Sequence, residues 1–527
     1  MLGLVLVVVL GVTVLVGTTL GRRYSVAPPV LLILMGSLLG LVPALSDVVL
    51  QPDVVLFLFL PAILYWESLN TSLREIRANL RVIALTSVVL VVVTMVVVSE
   101  VAQWLGVDPA AAWVLGAVLA PTDAAAVAGL AKRLPRRTLT TLRAESLIND
   151  GTALVLFAIA VQVGRGGRGP SVVGLVGRFV GAYGGGILAG LLVSAAVVLV
   201  RRQMDDPVRE GAVSVLTPFM AFLLASTVHA SGVVAVVVTG LVLTYAGPRV
   251  VGARARTQTN AFWNLSTFLL NGSLFVFVGV QIPRVARDIK STSAATALGI
   301  ALVLTAAVVV TRLLWVHVVT MIIRAVDRRA VQRSRRVGWR ARTLSGWAGF
   351  RGAVSLAAAL AVPATTTAGL PFPDRDLIVF TTSVVILVTI LVQGTTLPAV
   401  ARWARLPTDT DRADELIAAR RRASEAGLAA LPQIAEDLGI QGEIVEQLQT
   451  EYEQHAEEMR SEMDGDGNDT TDRRELSRRL RLGVLAEKRS AVTELRNSNE
   501  IDDIVLREIQ ATLDIEEIRL LGPAPTD

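Results

Sequence analysis

Long runs without a formal charge constrain this chain more than any other feature. The opening run, LGLVLVVVLGVTVLVGTTL at residues 2 to 20, contains none, and a helix of about 20 apolar residues is long enough to span a bilayer. Similar runs recur through the first 400 residues, and 53% of the 527 residues are hydrophobic. The expected fold class is therefore an all-α polytopic membrane protein. The first run lacks a small-residue cleavage pattern, so it reads as a membrane helix and not as a cleaved signal peptide. The chain has no cysteine, which excludes disulfides and thiolate metal sites. Its three histidines, His229, His317 and His455, are far apart in sequence, which argues against a histidine metal centre.

The apolar pattern predicts 13 spans, at about 2–20, 27–45, 53–69, 82–105, 110–131, 139–163, 172–200, 211–228, 231–247, 261–281, 294–323, 343–363 and 376–400. The shortest connection is the turn from His229 to Gly232. Basic residues concentrate in alternate loops: Arg22 and Arg23; Arg74, Arg77 and Arg81; Lys132, Arg133, Arg136 and Arg137; Arg201, Arg202 and Arg209; Arg249, Arg254 and Arg256; and the run from Arg324 to Arg342. Basic loops stay cytoplasmic, so the N-terminus is expected outside and the C-terminus inside. The net charge of +5 reflects this topology and is not a nucleic-acid footprint. Two domains are expected: a transmembrane domain at 1–400 and a helical cytoplasmic domain at 401–527. In the latter, ELSRRLRLGVLAEKRSAVTELRNS reads as an amphipathic helix and DGDGNDTTD as a loop. That loop lacks the ligand spacing and closing glutamate of an EF-hand.

The spans contain charges that a purely structural helix bundle would avoid. Glu67, Asp123, Glu145 and Asp150 are set against one deeply placed cation, Arg351. Ionisable groups within the membrane mark ion or proton pathways by default. A buried ion pair that locks helices is the alternative for any one of them, but it does not absorb the acidic surplus. At about 100° per residue, Glu145 and Asn149 share one helix face, and Ser146 and Asp150 share the adjacent one. Ser146 and Asp150 can offer oxygen ligands to a hard cation such as sodium. Glu145 is then free to pair with Arg351, with Asn149 holding the arrangement by hydrogen bonds. Pro121 interrupts the fifth span, and Gly346, Gly349 and Gly352 interrupt the twelfth. Broken helices at an odd offset of seven spans suit a transporter built from inverted repeats, with spans 1–6 repeated as 8–13. Kinks that merely permit close packing are the alternative.

Three segments carry a family resemblance: PTDAAAVAGL from Pro121, ESLINDGTALVLF from Glu145 and GFRGAVSLAAALA from Gly349. They resemble the signature segments of the monovalent cation:proton antiporters, in the branch of bacterial NhaP-type and animal NHE-type sodium/proton exchangers. The resemblance covers all 13 spans. It implies a homodimer of protomers that each hold a dimerisation domain and a six-helix core, with two broken helices crossing in that core. It also implies that Asp150 exchanges a proton for the transported ion, with Thr122, Asp123, Ser146 and Glu67 as its neighbours. Asn149 would structure the site, and Glu145 and Arg351 would form an ion pair. The family segment usually reads Thr-Asp-Pro, whereas Ala124 follows Asp123 here, which opens the question of cation selectivity.

The expected function is electroneutral Na⁺/H⁺ antiport by an elevator-like alternating access in a bacterial plasma membrane. Transported Na⁺ would bind at Asp150, Asp123 and Ser146, and Li⁺ or K⁺ are possible substrates. Neither a resident cofactor, a nucleic-acid partner nor an enzymatic activity is expected. A K⁺/H⁺ antiporter is the first alternative. A cation-sensing membrane receptor is a remote one, since the tail has no recognisable output motif. An ion channel would not need paired broken helices.

Overall fold

The computed structural model describes residues 2–24, 26–43, 52–71, 73–123, 136–166, 171–204, 206–289, 291–326, 338–405, 411–440, 442–451, 467–498 and 503–521. The described residues are helical throughout, apart from turns, unwound segments and one isolated bridge between Thr365 and Pro371. The chain divides into two compact units, Met1–Pro407 and Thr408–Asp527.

In the first unit, α1 (Leu2–Tyr24) and α2 (Pro28–Leu39) are followed by α3 (Pro52–Leu69), which contains a π turn at Val55–Phe59. Next come α4 (Leu73–Ala84), a π turn at Leu85–Val89, α5 (Leu90–Trp104) and α6 (Pro109–Leu119). Long helices follow: α7 (Arg136–Gly164), α8 (Val172–Arg201), α9 (Pro207–Thr227), α10 (Gly232–Val250), α11 (Ala253–Asp288) and α12 (Ala294–Val326). The unit closes with two short helices, α13 (Trp339–Trp347) and α14 (Ala353–Leu360), and with α15 (Arg375–Ala404), which has a π turn at Thr389–Gln393.

Among the described residues, nine helices are long and apolar enough to cross a membrane, and three shorter apolar helices lie at Pro28–Leu39, Pro109–Leu119 and Gly232–Gly247. The chain is thus a multi-pass membrane protein. Local chemistry sets several boundaries. Asp108 starts α6 by accepting from the backbone N–H of Ala110 at 2.8 Å, with Pro109 in the first turn. Asp206 and Pro207 start α9 in the same way. Such carboxylate caps satisfy donors that the helix leaves unpaired. The short turn between α9 and α10 is real: His229 takes a left-handed conformation, and Ser231 N–H donates to Ala182 of α8.

Buried apolar side chains fall into clusters that sort the helices. One gathers Val98 of α5, Leu115 of α6, Ala153 of α7, Leu304 of α12, Ala359 of α14 and Ile378 of α15. A second joins Val14 of α1, Ile33 of α2, Val276 of α11, Leu344 of α13 and Ile390 of α15. A third joins α3 to α8, α9 and α10 around Trp263 of α11. Helices α2 and α11 meet backbone to backbone: a Cβ on Gly36 would collide with the Val276 carbonyl, and one on Gly279 with that of Ile33. Small residues permit such close approach, and in lipid that contact is what binds helices together.

The second unit contains α16 (Asp411–Leu438), α17 (Gly467–Asn497) and α18 (Asp503–Leu521). Helices α17 and α18 pack together, with Leu485 and Leu513 buried. One sequence expectation is corrected here. Residues 467–472 of the supposed loop form the first turns of α17, while 464–466 lie outside the described residues. Asn468, Asp469 and Asp472 are turn formers in isolation, but acidic residues are also favourable at a helix N-terminus, where they face the positive end of the dipole.

Candidate functional site

Two unwound stretches build the site. Helix α6 ends at Leu119, and Pro121, Thr122 and Asp123 are non-helical. Pro121 has no N–H to continue the ladder. The remainder of the fifth predicted span, from Ala124, lies outside the described residues. The second stretch separates α13 from α14 and carries Gly349, Phe350, Arg351 and Gly352. The two stretches touch: Asp123 N–H donates to the Phe350 carbonyl at 2.9 Å. A Cβ on Gly352 would land on the Asp123 carboxylate, so glycine is what allows this approach. The carboxylate thereby sits beside the first turn of α14, where a negative charge is favourable. Arg351 reciprocates. It is buried, and its Nε donates to the carbonyl of Leu119, the last residue of α6, at 2.9 Å, while Nη1 donates to the Gly349 carbonyl at 2.6 Å. A cation at the end of a helix satisfies carbonyls that have no partner within the helix.

The arginine that pairs with Glu145 is therefore not Arg351. Arg312 of α12 donates from Nη1 to Glu145 Oε1 at 2.5 Å, and the two side chains are only 3% and 6% exposed. The same nitrogen reaches Thr122 Oγ1 at 3.3 Å, and Nη2 reaches the Ser345 carbonyl at 3.4 Å. The expected Glu145–Arg351 pair is corrected on physical grounds. The Arg351 guanidinium is committed to backbone carbonyls at the helix break, while α12 brings a second buried guanidinium to the α7 face that carries Glu145. The sequence reading took Arg351 for the one deep cation and missed Arg312. Its signal was a lone arginine within the run AAVVVTRLLWVHVV.

Asn149, one turn along α7 from Glu145, donates from Nδ2 to Thr122 Oγ1 at 2.7 Å and to the Thr122 carbonyl at 3.2 Å. Glu145, Arg312, Asn149 and Thr122 form one buried network that fixes the unwound segment after α6. On the neighbouring face of α7, Ser146 and Asp150 are also buried. They line a cavity of about 40 Å³ together with Glu67 of α3, Thr122 and Asp123 of the first unwound stretch, and Ser355 of α14. Two or three water molecules, or a small ion keeping part of its hydration, fit such a volume. The cavity thus collects all five residues named from the sequence as ion neighbours, and leaves Glu145, Asn149 and Arg351 outside its lining. Asn271 of α11 and Ser355 also line it and were not anticipated, because neither carries a charge that stands out in an apolar span. Among the described residues, no cluster of three or more His, Asp or Glu side chains is arranged to hold a metal ion. The carboxylates come from separate elements around shared space.

An all-helical membrane unit, two unwound segments in contact, and carboxylates around an internal cavity together define a secondary ion transporter. The family model described as "Sodium/hydrogen exchanger, transmembrane" matches residues 10–403. The chain belongs to this sodium/hydrogen exchanger family, whose members are monovalent cation:proton antiporters. It is 58% identical over 530 residues to an uncharacterized Na⁺/H⁺ exchanger of Mycobacterium tuberculosis, a match covering 100% of this chain and 97% of the relative. It is 31% identical over 384 residues to a sodium, potassium, lithium and rubidium/H⁺ antiporter of Bacillus pumilus, covering 70% of this chain and 57% of the relative. Its fold is similar to that of the sodium proton antiporter MjNhaP1 from Methanocaldococcus jannaschii, with a TM-score of 0.58 at 19% identity, covering 76% of this chain and 99% of that one.

Proposed function

We propose that this protein is an electroneutral Na⁺/H⁺ antiporter in which one monovalent cation and one proton compete for Asp150. The observation that carries the reading is the shared cavity: Asp150 and Ser146 face it from α7, Asp123 and Thr122 from the unwound stretch, and Glu67 from α3. The cation displaces the proton from Asp150 and takes oxygen ligands from Asp123, Ser146 and Thr122, hard donors suited to a hard ion. Neither Arg312 nor Arg351 lines the cavity, and neither takes part in the exchange in this scheme. With one group exchanging, the charge carried is equal in both directions.

The same reading takes the chain as 13 crossings in two inverted repeats, N-terminus outside and tail in the cytoplasm, assembled as a homodimer in a bacterial plasma membrane. Its support is the alternation of basic loops and the make-up of the first buried cluster, which draws on the fourth to sixth and eleventh to thirteenth predicted spans, two sets offset by seven. In this scheme those six spans carry the site across the membrane against the remaining helices.

The experiment is cation-driven proton flux in proteoliposomes with the membrane potential clamped. The rate and end-point should not change with voltage, since each net charge moved would couple at about 2.3 kcal/mol per 100 mV. A voltage-dependent end-point would mean that Asp123 or Glu67 titrates as well. One observation favours a second reading, a K⁺/H⁺ or broadly selective antiporter: the Bacillus pumilus relative is named for sodium, potassium, lithium and rubidium. Parallel flux assays with Na⁺, Li⁺ and K⁺ separate the two.

A further inference from the structure

The cavity has two polar side chains that neither the sequence reading nor the antiport scheme uses, Ser355 on α14 and Asn271 on α11. Asn271 lies on α11, and Leu274 one turn further along α11 and Leu60, Ile63 and Leu64 of α3 are apolar residues that also line the cavity. The Asn271 amide makes no hydrogen bond or ion pair among the described residues. A polar amide among these apolar residues is positioned to act on whatever occupies the cavity. The helix that carries it is held firmly. Just beyond Asn271, Gly272 packs against Val14 of α1, and two turns further on α11 meets α2 backbone to backbone. Asn271 therefore faces the cavity from a helix keyed to α1 and α2, whereas Asp123, Ser146 and Asp150 face it from the unwound stretch and α7.

We infer that Asn271 is a specificity-determining ligand that supplies its side-chain carbonyl oxygen to the transported monovalent cation. The inference rests on the antiport reading of this cavity. An amide oxygen is a hard, neutral donor. It adds to the coordination shell without adding a proton-binding group, so it acts on cation affinity and leaves the proton stoichiometry alone. Because its position is fixed by α11 and not by the helix that carries Asp150, it sets how large an ion fits between the two walls. Selectivity among Li⁺, Na⁺ and K⁺ follows from that span.

The test compares the unaltered full chain with Asn271→Leu, Asn271→Ala and Asn271→Asp in proteoliposomes, measuring KM and maximal rate for Na⁺, Li⁺ and K⁺. Asn271→Leu extends the apolar wall and so keeps the fold. It should raise the KM of the preferred cation about tenfold, the loss of one contact to a charge, and reduce the preference among cations, with the proton-to-cation ratio unchanged. Asn271→Ala should behave alike. Asn271→Asp restores an oxygen and should recover low KM at high pH only, because the new carboxyl titrates. If exchange by the unaltered protein is robust and the Asn271→Leu KM stays within about twofold of it for all three cations, the amide is a packing group and the inference is overturned. If the unaltered protein exchanges no monovalent cation for protons, the reading of the cavity fails and the inference with it.

Discussion

Removing the Glu145 carboxylate leaves the Arg312 guanidinium inside the protein with little to hold it. That side chain is 3% exposed, and its short contact is the 2.5 Å bond to Glu145. What remains are the contacts to Thr122 Oγ1 at 3.3 Å and to the Ser345 carbonyl at 3.4 Å, both long for a charge-assisted hydrogen bond. Breaking a buried pair by deleting one partner costs about 3–5 kcal/mol, and these residual contacts place Glu145→Ala toward the upper end of that range. Arg312→Ala should cost a similar amount by leaving the carboxylate buried. The double variant removes both charges, so its loss should fall short of the sum by about 2 kcal/mol or more, a coupling within the range seen for residues in contact. The assay is equilibrium unfolding in mixed micelles titrated with a denaturing detergent, on the three variants and the unaltered protein. Glu145→Ala combined with Arg351→Ala should show a smaller coupling. Strictly additive losses for Glu145 and Arg312, or a larger coupling with Arg351, would refute the assignment of the pair.

Asp150→Asn should fold and accumulate normally yet show no coupled cation/proton exchange in vesicles; near-normal exchange would remove Asp150 from the proposed role. Gly352→Ala places a methyl group on the Asp123 carboxylate. Overpacking of this kind costs about 1–3 kcal/mol, and flux should fall sharply even where folded protein is recovered, whereas unchanged flux would mean that the two unwound stretches need not touch. Since cation and proton compete for one group, the apparent KM for Na⁺ should rise as pH falls, by up to about tenfold per pH unit once Asp150 is mostly protonated. A KM independent of pH between mildly acid and mildly alkaline conditions would argue for separate sites.

Much of this was legible in the sequence because the bilayer leaves few choices. Apolar runs had to be helices, Pro121 and the glycines near Arg351 marked the interruptions, and the turn geometry of one helix separated Glu145 and Asn149 from Ser146 and Asp150. What sequence could not supply was the register of one helix against another. Arg312 lies in the eleventh predicted span and Glu145 in the sixth, and nothing local says that they meet. Arg351, by contrast, lay in a span already marked as broken, and so attracted the pairing. Asn271 is uncharged, and only the cavity singles it out. The π turn at Val55–Phe59, whose first residue lines the cavity, leaves no compositional trace. The polar start of α17 misled because the residues that begin helices are also those that make turns.

The reciprocal contacts between the two unwound stretches bear on leakage. Asp123 leans on the start of α14 and bonds to the Phe350 carbonyl, while Arg351 holds the end of α6. Sliding one unwound stretch past the other would strand a backbone donor, a helix end and a guanidinium together, each costing several kcal/mol where no water can replace the lost partner. The two stretches are thereby held to each other and are expected to move as one piece. In the antiport scheme proposed above, unwound stretches that stay joined keep the cavity from opening to both sides at once, and the idle protein should hold back protons as firmly as it holds back ions.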